Sequence, residues 1–159
     1  MTKHFGLNFK AYLLDRGIGE NEYFKFLECS DEDIEQTRIE QDVEFLPRIY
    51  REFLLTMGYG AGTFLLGSAY TCNKLLDMKD AAKGIMELGN AQENLPDDAF
   101  VFFMHQGYTF CYFRTTNQDD DPPVFLYIEG KPTSTKQNDH LSTWFYEGAD
   151  EQANLWRKS

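Results

Sequence analysis

Two aromatic runs separated by a two-residue turn constrain this chain more than any other feature. Ala99-Phe100-Val101-Phe102-Phe103-Met104 is strongly β-prone, and Tyr108-Thr109-Phe110-Cys111-Tyr112-Phe113-Arg114 returns with the same character. Gln106-Gly107 between them reads as a hairpin turn, a weaker signal than Asn-Gly. Val124-Phe125-Leu126-Tyr127-Ile128 predicts a third strand, Glu129-Gly130 a turn, and a short fourth strand is expected within 131–136.

The clearest helix follows Leu46-Pro47. Ile49, Tyr50, Phe53, Leu54 and Met57 share one helical face, Pro47 suits the first turn, and Gly58 can close the helix in a left-handed conformation. At about 1.5–3 kcal/mol per large side chain, burying that face makes this a core helix. Ser30 predicts the N-cap of another helix, from Asp31 to Val43, with Asp31, Glu32 and Asp33 opposing the positive end of its dipole. Ile34, Ile39 and Val43 give it a thin apolar stripe, so it lies on the surface. A short helix over 7–15, an extended run from Thr63 to Tyr70 and a helix from Lys74 to Leu88 capped by Asn73 also fit the pattern. Asn138 or Asp139 opens a closing helix with Leu141, Trp144 and Phe145, followed by Leu155 and Trp156. Helices on one flank of a mainly antiparallel meander make an α+β fold. At 159 residues, with no repeat or long linker, one domain over 1–159 is expected.

Charge narrows the function classes. The chain carries 15 Lys and Arg against 26 Asp and Glu, a net charge of −11. Phosphate binding needs clustered Lys and Arg, so no nucleic-acid partner is expected. An anionic membrane surface is equally disfavoured, and a basic protein partner or plain solubility suits the balance. Residues 15–52 hold five basic and twelve acidic side chains, a net −7, densest at Glu28-Cys29-Ser30-Asp31-Glu32-Asp33. That block reads as a solvated helix face or as a partner surface. No stretch approaches the ~18 apolar residues of a membrane span, and Met1–Gly6 lacks the apolar core of a secretory leader. Cys29, Cys72 and Cys111, odd in number and widely spaced, do not read as a disulfide framework. Free, buried thiols in a reducing, cytoplasmic compartment are the expectation.

Catalytic patterns are weak. His4, His105 and His140 have no zinc-ligand spacing, and Gly58, Gly60 and Gly62 match no phosphate loop. Asp119-Asp120-Asp121 lacks calcium-loop spacing and reads as a solvated acidic loop. His105 with Cys111 is the only nucleophile pair to weigh, and an inert mid-strand cysteine outweighs it. No catalytic residue, cofactor or metal site is expected, and the chain is read as a non-enzyme.

Leu46, Pro47, Tyr50, Phe53, Leu54 and Gly58, preceded by the acidic segment 39–45, resemble the central signature of the SUKH superfamily. So do Leu95-Pro96, Phe100, Phe102, Gly107, Phe110, Tyr112 and Phe113, the strand after Pro123, and Leu141, Trp144 and Phe145. The resemblance covers roughly residues 30–147, leaving residues 1–28 as an N-terminal extension, and Gly58, Gly60 and Gly62 are set more loosely than the pattern. It groups bacterial toxin-immunity proteins with yeast regulators of cell-wall assembly, and it implies binding without catalysis. The expected function is neutralisation of a toxin, such as a nuclease, by direct association; the alternative is a regulatory interaction module. A nuclease must present a basic face to phosphate, which an acidic protein can block. Candidate contact residues are Asp31, Glu32, Asp33 and Glu35, the loop Asp119, Asp120 and Asp121, and the aromatics Tyr59 and Trp156, which are anchors or core.

Overall fold

The computed structural model describes residues 3–158; Met1, Thr2 and Ser159 lie outside the described residues, and with them the start of the segment read for a leader. The order is α1 (His4–Asp15), β1 (Phe26–Leu27), α2 (Asp31–Glu40), α3 (Arg48–Met57), β2 (Gly60–Ala61), β3 (Ser68–Ala69), α4 (Cys72–Leu88), β4 (Ala99–His105), β5 (Thr109–Arg114), β6 (Val124–Ile128), β7 (Thr135–Asn138) and α5 (Leu141–Lys158). β3 to β7 form a five-stranded antiparallel meander in sequence order, and β1 pairs with β2. The fold is α+β.

The aromatic hairpin forms as read. Gln106 and Gly107 both take positive φ, 51° and 75°, the pattern of the tight turn whose twist matches its strands. Phe110, Cys111, Tyr112 and Phe113 are all buried, so β5 shows no apolar–polar alternation. A strand buried on both faces needs cover on both. Phe100 and Phe113 face each other across the ladder and pack on Tyr50 of α3 at 5.4 and 5.3 Å. A bulge between Val101 and Phe103 lets Phe102 and Phe103 both reach Trp144 of α5, at 4.9 and 5.2 Å. On the alternate row, Phe110 packs on Tyr127. The end of α4 covers that row so closely that a Cβ on Gly89 would lie 2.9 Å from the Tyr127 hydroxyl. Helices thus flank both faces of the sheet, not one.

A glutamine explains why α2 stops early. The helix ends at Glu40, before the expected Val43, because fully buried Gln41 is pulled under the sheet edge. Its side-chain amide accepts from the Val101 N–H and donates to the Val101 and Leu75 carbonyls, at 2.8, 2.8 and 2.9 Å. It thereby supplies the open edge of β4 with the pairing of a missing strand. Lys79 donates to the carbonyls of Gln41 and Asp97, and burial pushes its ammonium pKa down. Ile39 faces solvent, leaving Ile34 and Val43 as the buried part of the expected stripe.

The cysteine reading is overturned: Cys29 and Cys72, 43 residues apart, are joined as a disulfide. Both backbones dock on the end of α3, the Cys29 N–H on the Leu54 carbonyl and the Cys72 N–H on that of Gly58. The inference of a reducing compartment from free thiols falls with it. Gly58 is right-handed, φ −67°, not left-handed. It is required for space, since a Cβ there would sit 2.3 Å from the Cys29 sulfur. The run 63–70 is mostly turn, with only Ser68–Ala69 paired, and Leu65 has φ 59°. α4 begins at Cys72 with Thr71 as N-cap, so Asn73 does not cap it. β7, read within 131–136, runs from Thr135 on to Asn138, and α5 starts at Leu141, later than read.

The N-terminal extension is integral to the core. Phe5, Phe9 and Leu13 repeat every four residues and are buried. A Cβ on Gly6 would meet Thr56 and the Glu52 carbonyl, so only glycine allows α1 to lie this close to α3. The Phe5 N–H donates to the buried Glu52 carboxylate at 2.7 Å, and Arg48 pairs with the same carboxylate.

Candidate partner-binding surfaces

Ser30 and Asp33 form the reciprocal capping box that starts α2. Hydrogen bonds from Ser30 hold the Asp33 carboxyl below the ordinary range, and Tyr59 adds to the effect. Burial raises the Tyr59 phenol, and neighbouring Asp33 raises it further. Tyr59 and the first turn of α2 are therefore one surface, joined across 26 residues by the stretch beside the disulfide. Glu35 belongs less to it, because its carboxylate is bound by Arg38 and lowered chiefly by that hydrogen bond. Asp31 and Glu32 are exposed, and among the described residues neither forms an ion pair.

The aspartate triplet lies elsewhere and has internal work. Asp120 accepts from the Arg48 N–H through its carboxylate and from the Ile49 N–H through its carbonyl, so it caps α3. Asp121 accepts from the Ser142 N–H and hydroxyl at 2.8 and 2.6 Å, so it caps α5. Asp119 accepts from the Asp121 N–H. Helix starts need such acceptors for their free N–H groups. Asp119 and Asp120 remain exposed, and Asp121 is half-buried.

Trp156 leads to a feature the sequence reading missed. A groove of about 590 Å³ runs between the second half of α5 and the α5-facing side of the sheet. Its floor includes Phe103, Cys111, Leu126 and Trp144, and its lip Leu66, Leu155 and Trp156. Those lip residues are 44%, 67% and 44% exposed. Glu147 and Glu151 stand one helical turn apart along its wall, with no Lys or Arg in the lining. Gln152 accepts from the Leu65 N–H and donates to the Thr63 carbonyl, clamping the loop before β3 against α5. The sequence signal was present as Glu147, Glu151 and Leu155 at i, i+4 and i+8. It was hidden because nothing local says which sheet face the helix crosses.

His105 and Cys111 both line this groove, so the pair has a cleft. Burial pushes the Cys111 thiol up to about 12, which leaves no thiolate at neutral pH. His105 is hydrogen-bonded through Nδ1 to the Ser68 hydroxyl at 2.9 Å, and Cys111 donates weakly to Gln137. No group of three metal-ligating side chains occurs among the described residues. No described helix is long and apolar enough to cross a membrane.

The wall of the groove is held by the extension. Tyr12 and Arg16 of α1 both donate to Asp150 of α5 at 2.8 Å, and the Tyr12 ring packs edge-on against Tyr146. No curated protein matches the chain. A family model described as SMI1-KNR4 cell-wall matches residues 31–145, from the first residue of α2 to the first third of α5. The chain therefore belongs to the SMI1-KNR4 family of the SUKH superfamily, whose members act by protein–protein interaction.

Proposed function

We propose that this chain is an immunity-type binding domain that neutralises a basic toxin, such as a nuclease, by covering its active face. The observation that carries the reading is the unpaired acidic start of α2, Asp31 and Glu32, with Tyr59 beside it, on a chain of net charge −11. A basic active face is drawn to such a surface before contact, which raises the association rate. The Asp119–Asp121 loop has a secondary part, because two of its members already cap helices. The chain acts without catalysis in this reading. The Cys29–Cys72 bond favours an oxidising compartment, so alkylation and mass spectrometry of protein from intact cells should find these two thiols joined; free thiols would place the chain in the reducing cytoplasm instead.

The test is co-expression with the product of the neighbouring open reading frame. Growth rescue and co-purification are expected; growth arrest with no complex overturns the reading. The family description as cell-wall favours a second reading, a regulatory module with a cellular partner. Capture of the same housekeeping protein from cells that carry no neighbouring toxin would favour it.

A further inference from the structure

We propose that the α5 groove takes a protruding segment of a protein partner, an apolar side chain flanked by Lys or Arg. The proposal rests on the chain being a protein-binding domain and not on the partner being a toxin. Four observations support it. First, the groove is apolar at floor and lip but carries Glu147 and Glu151 and no Lys or Arg among its described lining residues, so a cation beside the apolar group is complementary. Second, Gly148 sits between those carboxylates in the interior of α5, where Ala would be the better helix former. A Cβ there would meet only Phe64, at an ordinary 3.5 Å, so packing does not demand the glycine. A side chain would instead narrow the groove.

Third, Asn138 at the β7 side of the groove is 8% exposed and donates to Glu147, while its Oδ1 has no hydrogen-bond partner among the described residues. A buried acceptor left unpaired is costly, and a donor on an incoming segment would satisfy it. Fourth, Leu65 at the lip holds φ 59°, a conformation a branched residue keeps only where its surroundings impose it. The Gln152 clamp imposes it here, which keeps the groove mouth formed without an occupant. The helical wall, residues 147–156, lies outside the residues matched by the family model.

The probes are three capped hexapeptides: Lys-Arg-Leu-Phe-Arg-Lys, its counterpart Glu-Asp-Leu-Phe-Glu-Asp, and Lys-Arg-Gly-Gly-Arg-Lys. Each is titrated into the ¹⁵N-labelled chain. Saturable shifts of the Trp144 and Trp156 indole N–H and the Asn138 amide are expected with the first peptide alone. Paired Glu147→Gln and Glu151→Gln should weaken that binding about five- to tenfold, in line with two exposed ion pairs. Gly148→Leu should abolish it; should that variant unfold, exposed Trp156→Ala gives the same test. Equal binding of the acidic or glycine peptide, shifts confined to Asp31–Tyr59, or no saturation by about 1 mM would overturn the proposal. So would a dimer in sedimentation that Trp156→Ala dissolves, since the occupant would then be a second copy. Capture of a neighbouring toxin that ignores all groove variants sinks the groove and leaves the immunity reading standing. Peptide binding without any such toxin does the reverse.

Discussion

The first turn of α2 and the groove beside α5 are both acidic and exposed, yet they are built of opposite materials. Asp31 and Glu32 stand on a helix that buries little more than Ile34 and Thr37. Glu147 and Glu151 stand at the edge of a surface made by Phe103, Leu126, Trp144 and Leu155. An exposed charge acts over roughly a 10 Å screening length and contributes little once contact is made. An apolar surface contributes only on contact. In the proposed function the family-matched helix would steer a partner, and the wall outside the match would retain it.

The two surfaces are also anchored differently, and the largest expected effect tests that. Gln41 ends α2 inside the protein, whereas Gln152 pins a surface loop. Gln41→Leu leaves the Val101 N–H and carbonyl unpaired in the core, and should lower stability by about 3–5 kcal/mol in urea unfolding. Next comes a carboxylate on neither surface. Burial alone would raise Asp98, but hydrogen bonds from Thr116 and the Arg114 pair bring it from 3.8 down to about 2. The unfolded chain therefore takes up this proton first as pH falls. The stabilisation, about 2 kcal/mol, is complete above pH ~4 and lost on the way to pH ~2. Asp98→Asn should remove that pH-dependent difference between pH 5 and 2.5. Gln152→Ala should cost about 1–2 kcal/mol, and should speed amide exchange at Leu65 while sparing Val101. Global loss would mean that the groove mouth is part of the core. The smallest effect is on rate: Asp31→Asn with Glu32→Gln should slow partner association several-fold at low salt and leave dissociation alone. This pair leaves the Asp33 cap and the Glu35–Arg38 pair intact.

The hairpin, β6, the N-cap at Ser30 and the core face of α3 were legible because each rests on neighbours in sequence. The errors share a cause. Gln41 looks like a helix residue, and only the open edge of β4, 60 residues away, draws it inward. Cys29 and Cys72 look unpaired because their meeting depends on two distant segments both docking at the end of α3. Asp120 and Asp121 look like a free acidic loop until the helix starts they cap are in place. Among the candidate site residues, Asp31 and Glu32 are exposed at the start of α2, where the sequence put them, and Trp156 is exposed but at a groove that no local pattern describes.

The division of labour between steering and anchoring has one most direct test. Association and dissociation rates with the captured basic partner should be measured across salt concentrations for the natural chain, for the Asp31→Asn, Glu32→Gln form and for Gly148→Leu. The account predicts a lower association rate with a flatter salt dependence for the first variant, and a faster dissociation rate at unchanged association for the second. If both variants changed the same rate constant, or if neither changed any, the two surfaces would not be doing separate jobs and the account would be wrong.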